Sequence, residues 1–268
     1  LSLKIGLMLK GAGALIDAGT AGAISTDLAI PIVAVLFVIY GAAGGMSAAI
    51  ITDYIQGVLT IIFSFILLPF VLNAVGGIDG VREIVNDSSK MSLVAPEKIG
   101  VFFIVAFGIN SLFLIVSQPF IMGVCSAGKT EMDGRFGFVV GNLIKRVCTA
   151  AWAVTGLAAL AYFIKGGIDI ESIDPDRIYG QMAKEFLPSI MPGLLGLFIA
   201  ALLAGVMSSC DSFMISSSAL FTENLYRPIV KEKSKSHYLK VARIASIFIV
   251  CFGLLFAYSM DGVVSGLK

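Results

Sequence analysis

Apolar residues run along this chain in long blocks, not in the short alternating segments of a membrane β-barrel. The blocks lie at 28–46, 49–75, 100–124, 136–164, 193–222 and 241–260. Each is close to or beyond the roughly 20 residues a helix needs to cross the hydrocarbon of a bilayer. The pattern predicts about six full transmembrane helices. A further segment, 1–15, is apolar but carries Lys4 and Lys10, and reads as the tail of a truncated helix. The Gly-rich stretch 18–25 predicts a short turn. Gly44-Gly45 predicts the end of the first full span, with a junction at 46–50. The polar stretches 76–99, 125–135, 165–189 and 223–243 connect the later spans.

Composition points the same way. Of 268 residues, 57% are hydrophobic and 14% charged, and mean hydropathy is +0.95. Soluble domains carry about 25% charged residues. Inside lipid every backbone polar group must be satisfied within the protein, which leaves helices once a barrel is excluded. The expected class is an all-α polytopic protein of the cell (plasma or inner) membrane, with 1–268 as a single transmembrane domain. The chain opens at Leu1 inside an apolar segment, with no signal peptide ahead of it, and reads as a fragment of a longer protein. A net charge of +1 gives no footing for nucleic acid. Cys125, Cys148, Cys210 and Cys251 are far apart and form no CxxC pair, so they read as small packing residues. No nucleophile elbow, P-loop or HExxH motif is present, so no enzyme is expected. The single His237 sits in a basic loop and reads as solvated.

Lys and Arg in short loops set orientation. The loop 223–243 holds Arg227, Lys231, Lys233, Lys235, Lys240 and Arg243, and is expected in the cytoplasm. Alternation then puts 125–135 and the 46–50 junction there too. The loops 76–99 and 165–189, each richer in Asp and Glu than in Lys and Arg, fall outside.

Four groups of polar residues interrupt the apolar blocks. In GVMSSCDSFMISSS (205–218), Gly205, Ser208, Ser209, Ser212 and Ser216 share one helical face, with Asp211 at its edge. Hydroxyl and carboxylate oxygens suit hard cations. Serines alone would equally hydrogen-bond their own helix or a neighbour. The Asp tips the reading toward a functional site, because a carboxylate within a membrane helix is expensive. Thr52, Asp53 and Gln56 form the second group. Asp53 is either a helix N-terminal acid, favoured by the macrodipole, or an ion ligand. Asn110, Phe113, Ser117 and Gln118 precede Pro119 and describe either a distorted helix lining a cavity or an ordinary proline kink. Lys145 and Arg146 either snorkel to the interface or face a watery cavity. Trp152 reads as packing or an interfacial anchor.

Three of these stretches resemble the sodium:solute symporter family. GGMSAAIITDYIQG (44–57) is similar to its TD-x-x-Q segment, and SQPFIMGVCSAGKTE (117–131) to its Gln-containing segment with a following A-x-K-[ST] loop. GLLGLFIAALLAGVMSSCDSFMISSSALFTENLYRP (193–228) resembles its most diagnostic stretch. The resemblance implies an inverted-repeat (5+5 helix) transporter fold, here partial, running from the end of the third core helix through the ninth, with the first two core helices absent. It implies a sodium site shared between the first and eighth core helices, whose ligands map onto the carbonyl of Gly205 and the hydroxyls of Ser208 and Ser209. A second cation site of some members maps onto Asp53, Ser208, Asp211 and Ser212. Position 211 departs from the usual Ser, Thr or Ala, and the SS-x-DS form looks like the choline-carrier branch. Substrate positions map onto Asn110, Phe113, Gln118 and Lys145. Phe113 and Leu114 replace the Tyr and Trp of the sugar carriers' aromatic gate, a departure from a sugar substrate. The implied activity is sodium-coupled symport of a small organic solute across the cytoplasmic membrane. Its partners would be Na+, the solute and the lipid bilayer, with no cofactor and no nucleic acid. The rival reading is a symporter-like sensor region of a signalling protein.

Overall fold

The structure, a computed structural model, describes residues 1–86, 100–168, 174–260 and 262–263, apart from the side chains of 40, 42–52, 116 and 124. All its regular elements there are helical. In chain order they are α1 (Ser2–Gly19), α2 (Thr26–Val75), α3 (Gly77–Val85), α4 (Val101–Ser117), α5 (Pro119–Cys125), α6 (Glu131–Lys165), α7 (Ile178–Ile190), α8 (Leu194–Leu220), α9 (Arg227–Ile229) and α10 (Lys235–Ser259). A 3-10 turn, Pro175–Arg177, precedes α7, and a π-helical stretch, Phe221–Tyr226, joins α8 to α9.

Among the described residues four helical stretches are long and apolar enough to cross a membrane: Asp53–Val75, Glu131–Lys165, Leu194–Ile229 and Lys235–Ser259. Two shorter apolar ones, Thr26–Ile39 and Val101–Ile115, overlap the remaining two expected spans. The chain is a multi-pass α-helical membrane protein. One expectation changes. No break separates the first two spans, because α2 runs unbroken through Gly44-Gly45. Paired glycines weaken a helix by about 1 kcal/mol each, but only proline removes a donor from its ladder. The first proline after Pro31 in α2 is Pro69. Parts of the predicted outer loops, 87–99 and 169–173, lie outside the described residues.

The helices gather into two compact units, Leu1–Phe63 with Ile173–Lys268, and Ser64–Ser172. In the first, α1 packs on α10, α8 and α7, and α10 packs on α8. Lipid tails are as apolar as leucine, so close approach of small residues drives such contacts. A Cβ on Gly6 of α1 would lie 2.7 Å from the Gly253 carbonyl oxygen, and one on Gly253 of α10 would lie 2.9 Å from the Ile5 side chain. Fully buried Ile5, Leu9, Ala257 and Phe198 fill the same core.

One end of this unit is tied by polar contacts. Arg177 pairs with Asp17, whose other oxygen accepts from the Thr26 hydroxyl at 3.2 Å. Tyr258 donates to the Asp27 carbonyl at 2.9 Å. At the far end of α10, Tyr238 donates to the Val230 carbonyl at 2.7 Å. The reading of His237 as solvated is corrected there. It is half-buried, bonded to the Tyr226 hydroxyl at 3.0 Å and stacked on that ring, since Tyr226 closes the π-helical stretch beside the start of α10.

In the second unit α6 packs against α3 and α5. Thr130 and Asp133 cap its start reciprocally, which satisfies two orphan backbone donors. Lys165 at its end donates to the Ala74 carbonyl at 3.0 Å. Gln118 is extended ahead of Pro119, as the residue before a proline must be, and this separates α4 from α5.

Candidate cation site between two helices

Leu, Ala and Ile carry α8 as far as Met207. The serines that follow keep it helical because several satisfy themselves locally. Ser209 donates to the Gly205 carbonyl at 3.1 Å, and Ser218 to the Ile215 carbonyl at 2.9 Å. Ser208 behaves differently. Its hydroxyl leaves its own helix and donates to Asp53 Oδ1 on α2.

Asp53 lies deep within α2, not at a helix start. The macrodipole reading therefore does not apply to it. Asp53, Gln56 and Thr60 are half-buried, while Tyr54, Ile55, Gly57 and Val58 are exposed, so one polar stripe of α2 faces inward. Ten residues beyond Asp53, Phe63 meets Phe198 of α8 edge-on, with ring centroids 5.5 Å apart. Phe198 in turn lies ten residues before Ser208. The two contacts define an antiparallel helix pair over about 15 Å, polar at one end and aromatic at the other.

Asp211 sits one turn beyond Ser208. It has no exposed surface, and neither carboxylate oxygen has a hydrogen-bond partner among the described residues. It presses against Gly41 of α2, where any Cβ would overlap its Oδ1 and come within 2.8 Å of Met214 Cε. Ser212, next along, is half-buried. Gln56 Oε1 is likewise buried without a partner. Two residues escaped the sequence reading. Thr60 places its hydroxyl 3.7 Å from where a Cβ on Gly205 would stand, and its seven-residue spacing from Asp53 could have flagged it. Gly41 carried no such signal, because only tertiary packing brings it to Asp211. The Thr52 side chain lies outside the described residues.

The other four site residues, Asn110, Phe113, Gln118 and Lys145, belong to the second unit. Asn110, Phe113 and Lys145 are exposed, and Gln118 is half-buried at the break between α4 and α5. Ser117 turns back on its own helix, donating to the Phe113 carbonyl at 2.9 Å. The described contacts do not gather these four around one point. Asn110 and Phe113 lie on α4, Gln118 at its end, and Lys145 on α6.

The chain is similar to several known proteins. The chain is 27% identical to a sodium/pantothenate symporter of Haemophilus influenzae, a match covering 88% of this chain and 47% of that protein. It is 26% identical to a high-affinity proline transporter of Bacillus subtilis, covering 88% and 49%. Against a sodium/glucose cotransporter of Vibrio parahaemolyticus it is 24% identical, covering 90% and 49%. The chain thus spans about half the length of the curated relatives it matches. Its fold is similar to that of a Na+-coupled sialic acid symporter solved in a substrate-bound outward-open state, with a TM-score of 0.73 and 19% identity over 96% of this chain and 56% of that one. The family model for sodium:solute symporters matches residues 1–263. This chain belongs to the sodium:solute symporter family.

Proposed function

We propose that the full protein couples the inward movement of sodium to uptake of a small organic solute. The observation that carries this reading is the pairing of Ser208 on α8 with Asp53 on α2, one turn from the buried carboxylate of Asp211, which has no partner among the described residues. These are hard oxygen donors, suited to a hard cation. A hydroxyl can donate to a carboxylate and offer a lone pair to an ion at once, so Ser208 can serve two sites.

In this reading the Gly205 carbonyl and the Ser208 and Ser209 hydroxyls hold one sodium together with a helix outside this chain. Asp53, Ser208, Asp211 and Ser212 hold a second cation. Asn110, Phe113, Gln118 and Lys145 line the solute path in the complete protein. Sodium bound to α8 favours the outward-facing state, and its release to the cytoplasm frees the solute. The coupling is a difference of affinity between two states, not chemistry.

Solute uptake by the full-length protein at varied sodium tests this. Ser208→Ala or Ser209→Ala removes one oxygen ligand, worth about 1–3 kcal/mol by analogy with a lost hydrogen bond to a charged group. The sodium needed for half-maximal uptake should rise roughly tenfold to a hundredfold. Unchanged sodium dependence in the double variant would overturn the assignment.

A further inference from the structure

We propose that the groove between α10 and the end of α8 binds an anionic phospholipid, with an acyl chain along the groove and the headgroup on the basic loop beside it. The groove has a volume of about 620 Å³ and is walled by Phe221, Tyr226, Val241, Ile244, Phe248 and Phe252, among others. Its walls are overwhelmingly apolar, and Ile244, Phe248 and Phe252 repeat every fourth residue as an exposed stripe on α10. From Val241 to Phe252 the helix rises about 16 Å. That is half of the roughly 30 Å hydrocarbon thickness, the depth of one leaflet's acyl chains.

The groove's upper end is where the charge collects. Between 223 and 243 the chain carries six Lys and Arg against Glu223 and Glu232. Glu223 is already taken by Arg227 at 2.7 Å, and Arg227 also lies over the Tyr238 ring at 5.2 Å. Lys231, Lys233, Lys235, Lys240 and Arg243 make no ion pair among the described residues. Lys240 and Arg243 are exposed and flank Val241, the first groove residue on α10. Unpaired cations at the mouth of an apolar slot one leaflet deep match a negative headgroup above two apolar chains. Basic clusters at the cytoplasmic end of a membrane helix attract such lipids.

The inference rests on the reading of 223–243 as the cytoplasmic end. Its test is made in detergent, so its outcome is independent of orientation, of sodium and of transport. Full-length protein is incubated with equimolar phosphatidylglycerol and phosphatidylcholine of identical palmitoyl-oleoyl chains, and retained lipid is quantified by mass spectrometry. Phosphatidylglycerol should exceed phosphatidylcholine at least about fivefold, the factor expected for one basic side chain near a headgroup. Lys240→Gln combined with Arg243→Gln should bring the ratio close to one while retention of both lipids persists. Ala245→Phe, which fills the groove from α10, should cut retention of both. An even ratio in the unaltered protein overturns the proposal. So does a preference that survives the double Gln variant, or the absence of retained lipid because another segment of the full chain fills the groove.

Discussion

A carboxylate with no exposed surface and nothing to accept from is costly to keep, and among the described residues Asp211 is in that position. A cation reaching it would offset that cost. Asp53 is close enough to act on it electrostatically, and in the proposed second cation site the two acids would share one positive charge. Sodium activation of the full-length protein should then be sigmoidal. Asp211→Asn, which keeps the shape and removes the charge, should render it hyperbolic and leave the Ser208 and Ser209 dependence intact. A hyperbola already present in the unaltered protein would remove the need for a second cation. Tyr179, in the 165–189 loop, shows a different residue-scale effect. Its hydroxyl is buried with no partner among the described residues, against the Phe198 ring at 5.7 Å. Burial pushes its pKa up from 10.0 to about 12. The folded state therefore holds this proton more tightly than the unfolded state does. The resulting stability is fully present below pH 10 and is lost as pH rises toward 12. Tyr179→Phe should flatten that alkaline loss in a detergent melting series. At neutral pH it should be neutral or stabilising by about 1 kcal/mol, since it removes an unsatisfied hydroxyl.

At the scale of elements, α2 and α8 are held by a contact that admits no side chain on one partner. Gly41→Ala should drive its new Cβ into Asp211 and lower stability by about 1–3 kcal/mol, as overpacking does. Asp211→Ala in the same molecule should recover most of that loss, because the nearest clash partner is gone and the remaining one, Met214 Cε, is the far end of a flexible side chain. A double-mutant cycle reads the coupling directly, and strict additivity of the two changes would show that Gly41 and Asp211 do not meet. The α1–α10 pair works by the same rule. Gly6→Leu should loosen it by a similar amount, seen as a lower melting temperature, because Gly253 and Phe256 leave no room. The helices themselves were legible from hydropathy, since a span's length is set by the thickness of lipid. Their ends were less so. The α2 ladder passes Gly44-Gly45 because glycine only lowers propensity, while the α4–α5 break at Gln118 follows from the fixed ring of Pro119.

For the whole molecule, the contacts within the first unit bring several connecting segments together, and the loop charges predict that their side is external. Arg177, Asp17, Thr26, Asp27 and Tyr258 meet at one end, and alternation assigns all their segments to the same side. Single cysteines at Asp79 and Ser234 of the full-length protein should label oppositely with an impermeant reagent added to intact cells, Asp79→Cys reacting and Ser234→Cys not. The reverse pattern would invert every span. What the sequence determined alone was whatever depends on local composition and period: helical class, number and rough limits of the spans, the serine stripe with Asp211 on α8, and the family. These are properties of a single segment in a known solvent, so no partner need be located to read them. Only the tertiary structure decided which helix the stripe faces. Nothing local in the chain says that Ser208 reaches Asp53, 155 residues away, that Gly41 makes room for Asp211, or that Thr60 stands over Gly205. Those pairings depend on the antiparallel docking of α2 on α8, which fixes position along both axes at once, a relation between distant segments that neither carries by itself.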